Sequence, residues 1–374
     1  MSRAAAAAVL LAGAFAAGCA STTTCRTFRD PPAPGPAKES VQVTFLGVGG
    51  VLVRWAGASV MTGPFYSNPT VAELALSEIH SDRERVDALL HEDVADARAI
   101  LVGHSHYDHA MDVPFVALRK ATKATVLGND ALVKLLAPIA SALPAGLASL
   151  ERRDACADPA YVVSDSRFRV WAIRSEHSPQ IGKRLLGDIV NVPKVTLWRG
   201  EPLQPLAALP SRVGEWPAGT TLAFVIDLLE AGTDEVAFRI YYQDSPTRQP
   251  VGYPPPCLPG RPVDLAILCV GGATELPHFP GDIVRTLHPG FVLGIHWEDF
   301  FEPRPLPLPG AKDVREKIKL LPGVSRSGFL RAVRRALPPG ARAAFPCPEA
   351  ATTFSRTGSA WSIAASDARW SAPK

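Results

Sequence analysis

The chain has 374 residues, of which 47% are apolar and 20% charged, and this balance excludes a disordered or collagen-like polypeptide. The formal net charge is only +3 with no long basic run, so nucleic acid is not an expected partner. Proline, at 36 residues, is well above the usual level and predicts many irregular connections.

Residues 1–18 carry a positive residue, Arg3, followed by an alanine-rich apolar core that is too short to span a bilayer. The segment ends in Ala16-Ala17-Gly18-Cys19, which resembles the lipobox of bacterial lipoproteins. That resemblance implies lipidation of Cys19, a membrane anchor and an exported, envelope-facing protein. A plain secretory signal cut nearby is the alternative. Residues 19–40, with Pro31-Pro32-Ala33-Pro34-Gly35-Pro36, read as a solvated tether that includes Cys25. Four further cysteines, Cys156, Cys257, Cys269 and Cys347, can form disulfides in an exported compartment, but their pairing is not legible. Cys269 sits in an apolar run and reads as a core residue.

From Val41 a hairpin is expected, turning at Gly49-Gly50. Pro69 opens a helical stretch, and a second helix covers residues 83–90. Strands are expected at 99–102, 123–127, 168–173, 221–226, 236–242, 265–270 and 291–295. Helices are expected at 114–120, 131–136, 281–287, 313–320 and 327–337. With no linker after residue 40, residues 41–374 read as one α/β domain with sheets inside and helices outside.

Directly after the strand at 99–102 stands Gly103-His104-Ser105-His106-Tyr107-Asp108-His109. Three of the chain's nine histidines and an aspartate fall within this stretch. In an extended segment His104 and His106 project to the same side. Imidazoles and a carboxylate together suit zinc, with iron or manganese as alternatives.

This motif resembles that of the metallo-β-lactamase superfamily. The resemblance implies an αββα four-layer sandwich with metals at the ends of strands. It implies two divalent metal ions, one held by His104, His106 and His177, the other by Asp108, His109 and His296, with Asp244 bridging. His177, Asp244 and His296 each follow an expected strand, in the family's order. The implied chemistry is hydrolysis by a metal-activated hydroxide, with Asp108 orienting it and Tyr107, or else Tyr66 or His278, as candidate proton donor. The stretches Leu265–Gly272, Ile295-His296-Trp297 and Thr44–Phe65 are similar to the N-acylphosphatidylethanolamine phospholipase D and ascorbate-phosphate lactonase branch. That branch carries aspartate where Gly63 stands and a histidine near Val48, so Asp112 is a candidate to fill the missing anchoring role. A small-molecule or lipid ester, foremost a phosphodiester, is the expected substrate. The stretch 178–219, with Lys183, Arg184, Trp198 and Trp216, is the candidate loop to receive it. A lactonase or β-lactamase and a non-catalytic metal-stabilised binding lipoprotein are the rival readings.

Overall fold

The computed structural model describes residues 21–28, 39–163, 167–178, 204–258, 261–307 and 313–371. Fifteen strands form two large sheets and two more form a small ribbon. The eight-stranded sheet holds β2 (Ser40–Gly47), β3 (Gly50–Trp55), β4 (Ala58–Thr62), β5 (Ala97–Leu101), β6 (Thr125–Gly128), β7 (Leu147–Ser149), β16 (Ala351–Thr357) and β17 (Ala360–Ser366). Its spatial order is β17-β16-β2-β3-β4-β5-β6-β7. The seven-stranded sheet holds β8 (Tyr161–Val162), β9 (Phe168–Ser175), β10 (Thr221–Leu229), β11 (Val236–Gln243), β12 (Leu265–Cys269), β13 (Phe291–Ile295) and β15 (Arg342–Ala344). Here β11, β12, β13 and β15 run parallel, whereas β8 to β11 are antiparallel.

Strand alternation sets the layers. In β2 and β3, Val41, Val43, Phe45, Val51, Val53 and Trp55 join the core shared with the seven-stranded sheet. Their neighbours Leu46 and Leu52 point the other way, into a second core. That second core is closed by α2 (Arg83–Leu89), α4 (Val113–Arg119) and α5 (Asp130–Leu135), which contribute Val86, Val116 and Leu132. Beyond the other sheet, α6 (Gly281–Leu287) and α7 (Arg326–Ala336) pack through Ile283, Val284, Phe329 and Val333. The order is helices, sheet, sheet, helices, as the sequence led us to expect. Two further helices are α1 (Val71–Leu76) and α3 (Tyr107–Ala110). Side-chain caps fix several helix starts: Asp82 accepts from the Arg85 amide, Asn129 from that of Leu132, and Ser325 from that of Gly328.

Two expectations are corrected here. Residues 313–320 are not a helix; Asp313–Lys319 is strand β14, paired antiparallel with β1 (Thr22–Phe28). The local pattern is period two, with Glu316 and Ile318 buried between exposed Arg315, Lys317 and Lys319. Arg304 neutralises the inward carboxylate of Glu316 at 2.6 Å. Residues 22–28, expected in a tether, therefore belong to the fold. Cys25 is fully buried and bonded to Cys347, with Cα atoms 5.7 Å apart. A second disulfide joins Cys156 to Cys257, and Cys269 is buried and unpaired. Among the described residues, no helix is long and apolar enough to cross a membrane. Residues 1–18, expected to be a signal segment, Cys19 and the proline run lie outside the described residues.

Candidate metal centre

Each of the relevant side chains sits at or just past the carboxyl end of a strand. His104 and His106 follow β5, Asp108 and His109 lie in α3, His177 follows β9, Asp244 follows β11 and His296 follows β13. Open α/β sheets place ligands at this end because chain connections there leave a crevice. The structure brings the seven together as three overlapping groups that could each hold an ion: His104, His106 and His177; Asp108, His109 and His296; and His104, His109 and Asp244. Within each group the donor atoms lie within 4.8 Å of one another. The first three rings form a near-equilateral triangle, each centroid 4.7 Å from the other two. In the second group, His296 Nε2 lies 3.3 Å from Asp108 Oδ2 and 3.2 Å from His109 Nε2. Asp244 stands between the groups, 3.0 Å from His104 Nδ1 and 3.5 Å from His109 Nδ1.

The partners fix tautomers. The Ser178 carbonyl can only accept, so His177 Nδ1–H donates to it at 2.8 Å and Nε2 is left as the donor atom for a metal. Asp244 likewise takes the Nδ1–H of His104, leaving His104 Nε2, which is buried without any hydrogen-bond partner. His296 Nδ1 is a second buried nitrogen without a partner. Four buried imidazoles and two buried carboxylates of this kind are costly unless something coordinates them. The donor set fits a divalent metal ion.

Electrostatics supports the same fit. Burial, with neighbouring imidazoles, pushes His106 and His109 well below the usual histidine range and His177 down to about 4. These rings are neutral at pH 7 and offer lone pairs without first losing a proton. Burial alone would raise Asp108 and Asp244, but surrounding histidines outweigh it and hold both carboxyls below the ordinary aspartate range.

Two glycines admit the approach. A Cβ on Gly103 would overlap the Asp244 carboxylate, and one on Gly63 would overlap the His109 carbonyl oxygen. The glycine at position 63, where the resembled branch carries aspartate, is thus required by the packing of α3. Asp112 does not take over the absent aspartate's role. Its carboxylate accepts from the Tyr66 and Ser67 amides at 2.7 and 2.9 Å and from the Ser67 hydroxyl at 2.6 Å, holding the 64–68 turn.

The candidate proton donors fall elsewhere. Tyr107 opens α3, but its ring packs into the helix-side core against Phe65 and Phe300, at 5.8 and 6.4 Å. Tyr66 is buried in the same core, and His278 is exposed in the turn before α6. Trp216, expected in the substrate loop, is instead a buried member of that core. Lys183, Arg184 and Trp198 lie outside the described residues.

Several supporting residues escaped the sequence. Glu298 takes the amide protons of Val48 and Trp297, tying the β2–β3 turn to the strand end that bears His296. In that turn the Gly49 carbonyl accepts from Tyr242 and Thr62, each at 2.6 Å. The Ser105 hydroxyl shares its one proton between Asn129 Oδ1 and the Ala218 carbonyl, both at 3.1 Å, on the face opposite the histidines. The only sequence signal for Ser105 is the alternation that puts it between two candidate ligands. For Glu298 there is none, because its partner lies 250 residues away.

No protein-family model matches the chain, and no curated protein matches it. Solved structures are similar at low identity. Igni18, a metallo hydrolase from the hyperthermophilic archaeon Ignicoccus hospitalis, has 13% identity and a TM-score of 0.44 over 85% of this chain and 100% of its own. The isothiocyanate hydrolase from Delia radicum gut bacteria has 12% identity and a TM-score of 0.43 over 84% and 99%. The metallo-β-lactamase fold protein YhfI from Bacillus subtilis has 13% identity and a TM-score of 0.37 over 69% and 86%.

Proposed function

We propose that the chain is a metal-dependent hydrolase with two divalent ions, zinc foremost and iron or manganese as alternatives. One ion is assigned to His104, His106 and His177, the other to Asp108, His109 and His296, with Asp244 shared. The observation that carries this reading is the convergence of seven donors, six of them buried, from four strand ends into groups that overlap at His104 and His109. A purely structural zinc site closes with four ligands and needs no such overlap. Bound there, divalent ions supply Lewis acidity and lower the pKa of coordinated water.

The chain's own residues supply orientation. Asp244 and the Ser178 carbonyl hold His104 and His177 in the tautomers that present Nε2. Asp108, kept ionised beside His296, is the residue placed to accept a proton. Tyr107 is assigned to packing, in keeping with its apolar neighbours.

We place the protein at the cell envelope, anchored through Cys19, with a phosphodiester or related ester as substrate. The lipobox-like Ala16-Ala17-Gly18-Cys19 and the stretches around Gly271 and His296 support this narrower reading. The test is turnover by the zinc-loaded chain of a bis-nitrophenyl phosphodiester, a lactone and a chromogenic β-lactam. Phosphodiester turnover that falls at least about a thousandfold in Asp108→Ala is expected. Turnover of the lactone or β-lactam alone would overturn the substrate class. No turnover with full metal loading would favour a metal-stabilised binding protein.

A further inference from the structure

The ribbon of β1 and β14 has two chemically different faces. Cys25, Glu316 and Ile318 are buried on one side. The register pairs Thr22 with Lys319, Thr24 with Lys317 and Arg26 with Arg315, and directly opposed residues of an antiparallel pair share a face. All six are exposed, so the outer face carries four cations, separated by threonines, with no carboxylate among the six. Lys319 is ion-paired with Glu302 at 2.6 Å, but that pair is about half exposed on both sides and weakly held. Arg26 and Arg315 stand directly opposite one another, so two of the four cations are adjacent on this face.

The position of the ribbon in the chain gives this charge a direction. Ser21 extends the ladder, its carbonyl accepting from the Leu320 amide at 2.9 Å. Cys19 precedes the first residue of β1 by three positions. Three residues reach at most ~10 Å, close to one Debye length at physiological salt. A lipid on Cys19 would therefore bring these cations to the headgroups, without an intervening tether.

We propose that the outer face of this ribbon is a docking surface for an anionic lipid bilayer, engaged through Arg26, Arg315, Lys317 and Lys319. Basic residues beside a membrane attachment point add to a lipid anchor by attraction to anionic headgroups. The four side chains are long enough to place their charges among the headgroups. The interaction does not depend on the metal centre, so failure of the hydrolase reading leaves it untouched.

The test partitions the full chain onto vesicles of phosphatidylcholine, with and without added phosphatidylglycerol, at low and high salt. The N-terminal segment contributes to both vesicle types, so the difference between them reads the ribbon. Phosphatidylglycerol is expected to raise binding of the wild type, and high salt to cancel the gain. An Arg315→Gln/Lys317→Gln/Lys319→Gln variant should lose on the order of a hundredfold of that gain, about fivefold per charge. Its unfolding temperature should stay close to that of the wild type, since all three changed side chains are exposed. A control with Lys123, Arg152 and Arg212, exposed cations of other loops, changed to glutamine should keep most of the gain. Equal binding by wild type and the ribbon variant would overturn the proposal, as would an equal loss in the control. So would a ribbon variant that loses binding to a soluble polyanion such as heparin while its vesicle binding is unchanged.

Discussion

Two buried polar clusters in this molecule differ in one respect that matters. Asp227, with no exposed surface, lies between its cross-strand neighbours Arg169 and Arg239. It accepts from Arg239 at 2.6 and 3.0 Å, from Arg169 at 2.9 and 3.0 Å, and from the Trp171 indole at 3.2 Å. Its charge is answered from within the chain. The cluster around Asp244 is as deeply buried, yet it leaves His104 Nε2 and His296 Nδ1 with no partner. Its donors outnumber the protons available to share among them. A self-satisfied cluster serves the fold, whereas one built from unpaired lone pairs serves a ligand.

The sharpest way to break that distinction is to truncate one member of each. Asp244→Ala should abolish binding of the second ion and lower hydrolysis by at least about a thousandfold while leaving the fold intact. Asp227→Ala should do the reverse: a loss of about 3–5 kcal/mol of stability, because buried Arg239 and half-buried Arg169 lose the carboxylate between them, with metal content per folded chain unchanged. Denaturant unfolding and elemental analysis of both variants separate the two cases. If Asp227→Ala also lost metal, the clusters would not be independent.

A smaller effect is expected at Glu298. Glu298→Gln weakens the link between the β2–β3 turn and the His296 strand end, and metal affinity should fall about tenfold, measured by competition with a chromophoric chelator. Unchanged affinity would assign Glu298 to the fold alone.

The smallest effect is on pH. His177 titrates at about 4 in the folded chain and about 6.5 when unfolded. Between those values the unfolded state binds more protons, so metal-free stability rises with pH from about 4 to 6.5. Bound metal should steepen that rise, because the ion stabilises only the neutral ring. A flat profile in both forms would contradict the burial of this ring among the other imidazoles.

Much of the site was legible because its residues announce themselves. The His104–His109 segment is dense in donors, and His177, Asp244 and His296 each follow an apolar strand with clear boundaries. The strand at 291–295 and the helix at 281–287 were delimited from sequence alone, because apolar periodicity and flanking glycine or proline marked both. What escaped depends on distant partners. Residues 313–319 carry helix formers, and only the N-terminal strand β1 makes them extended. Cys25 looked like a tether residue because its partner, Cys347, lies 322 positions away. Gly63 looked like a lost ligand support, and only the packing of α3 shows why no side chain fits there.

The most direct test of the central claim is elemental analysis of the purified chain, alongside Asp244→Ala and Asp108→Ala. We predict two divalent ions per wild-type chain, with fewer in each variant and all three folded to the same extent. One ion or none in the wild type after metal supplementation would contradict the two-metal centre. Equal metal content in all three chains would mean that neither aspartate is a ligand.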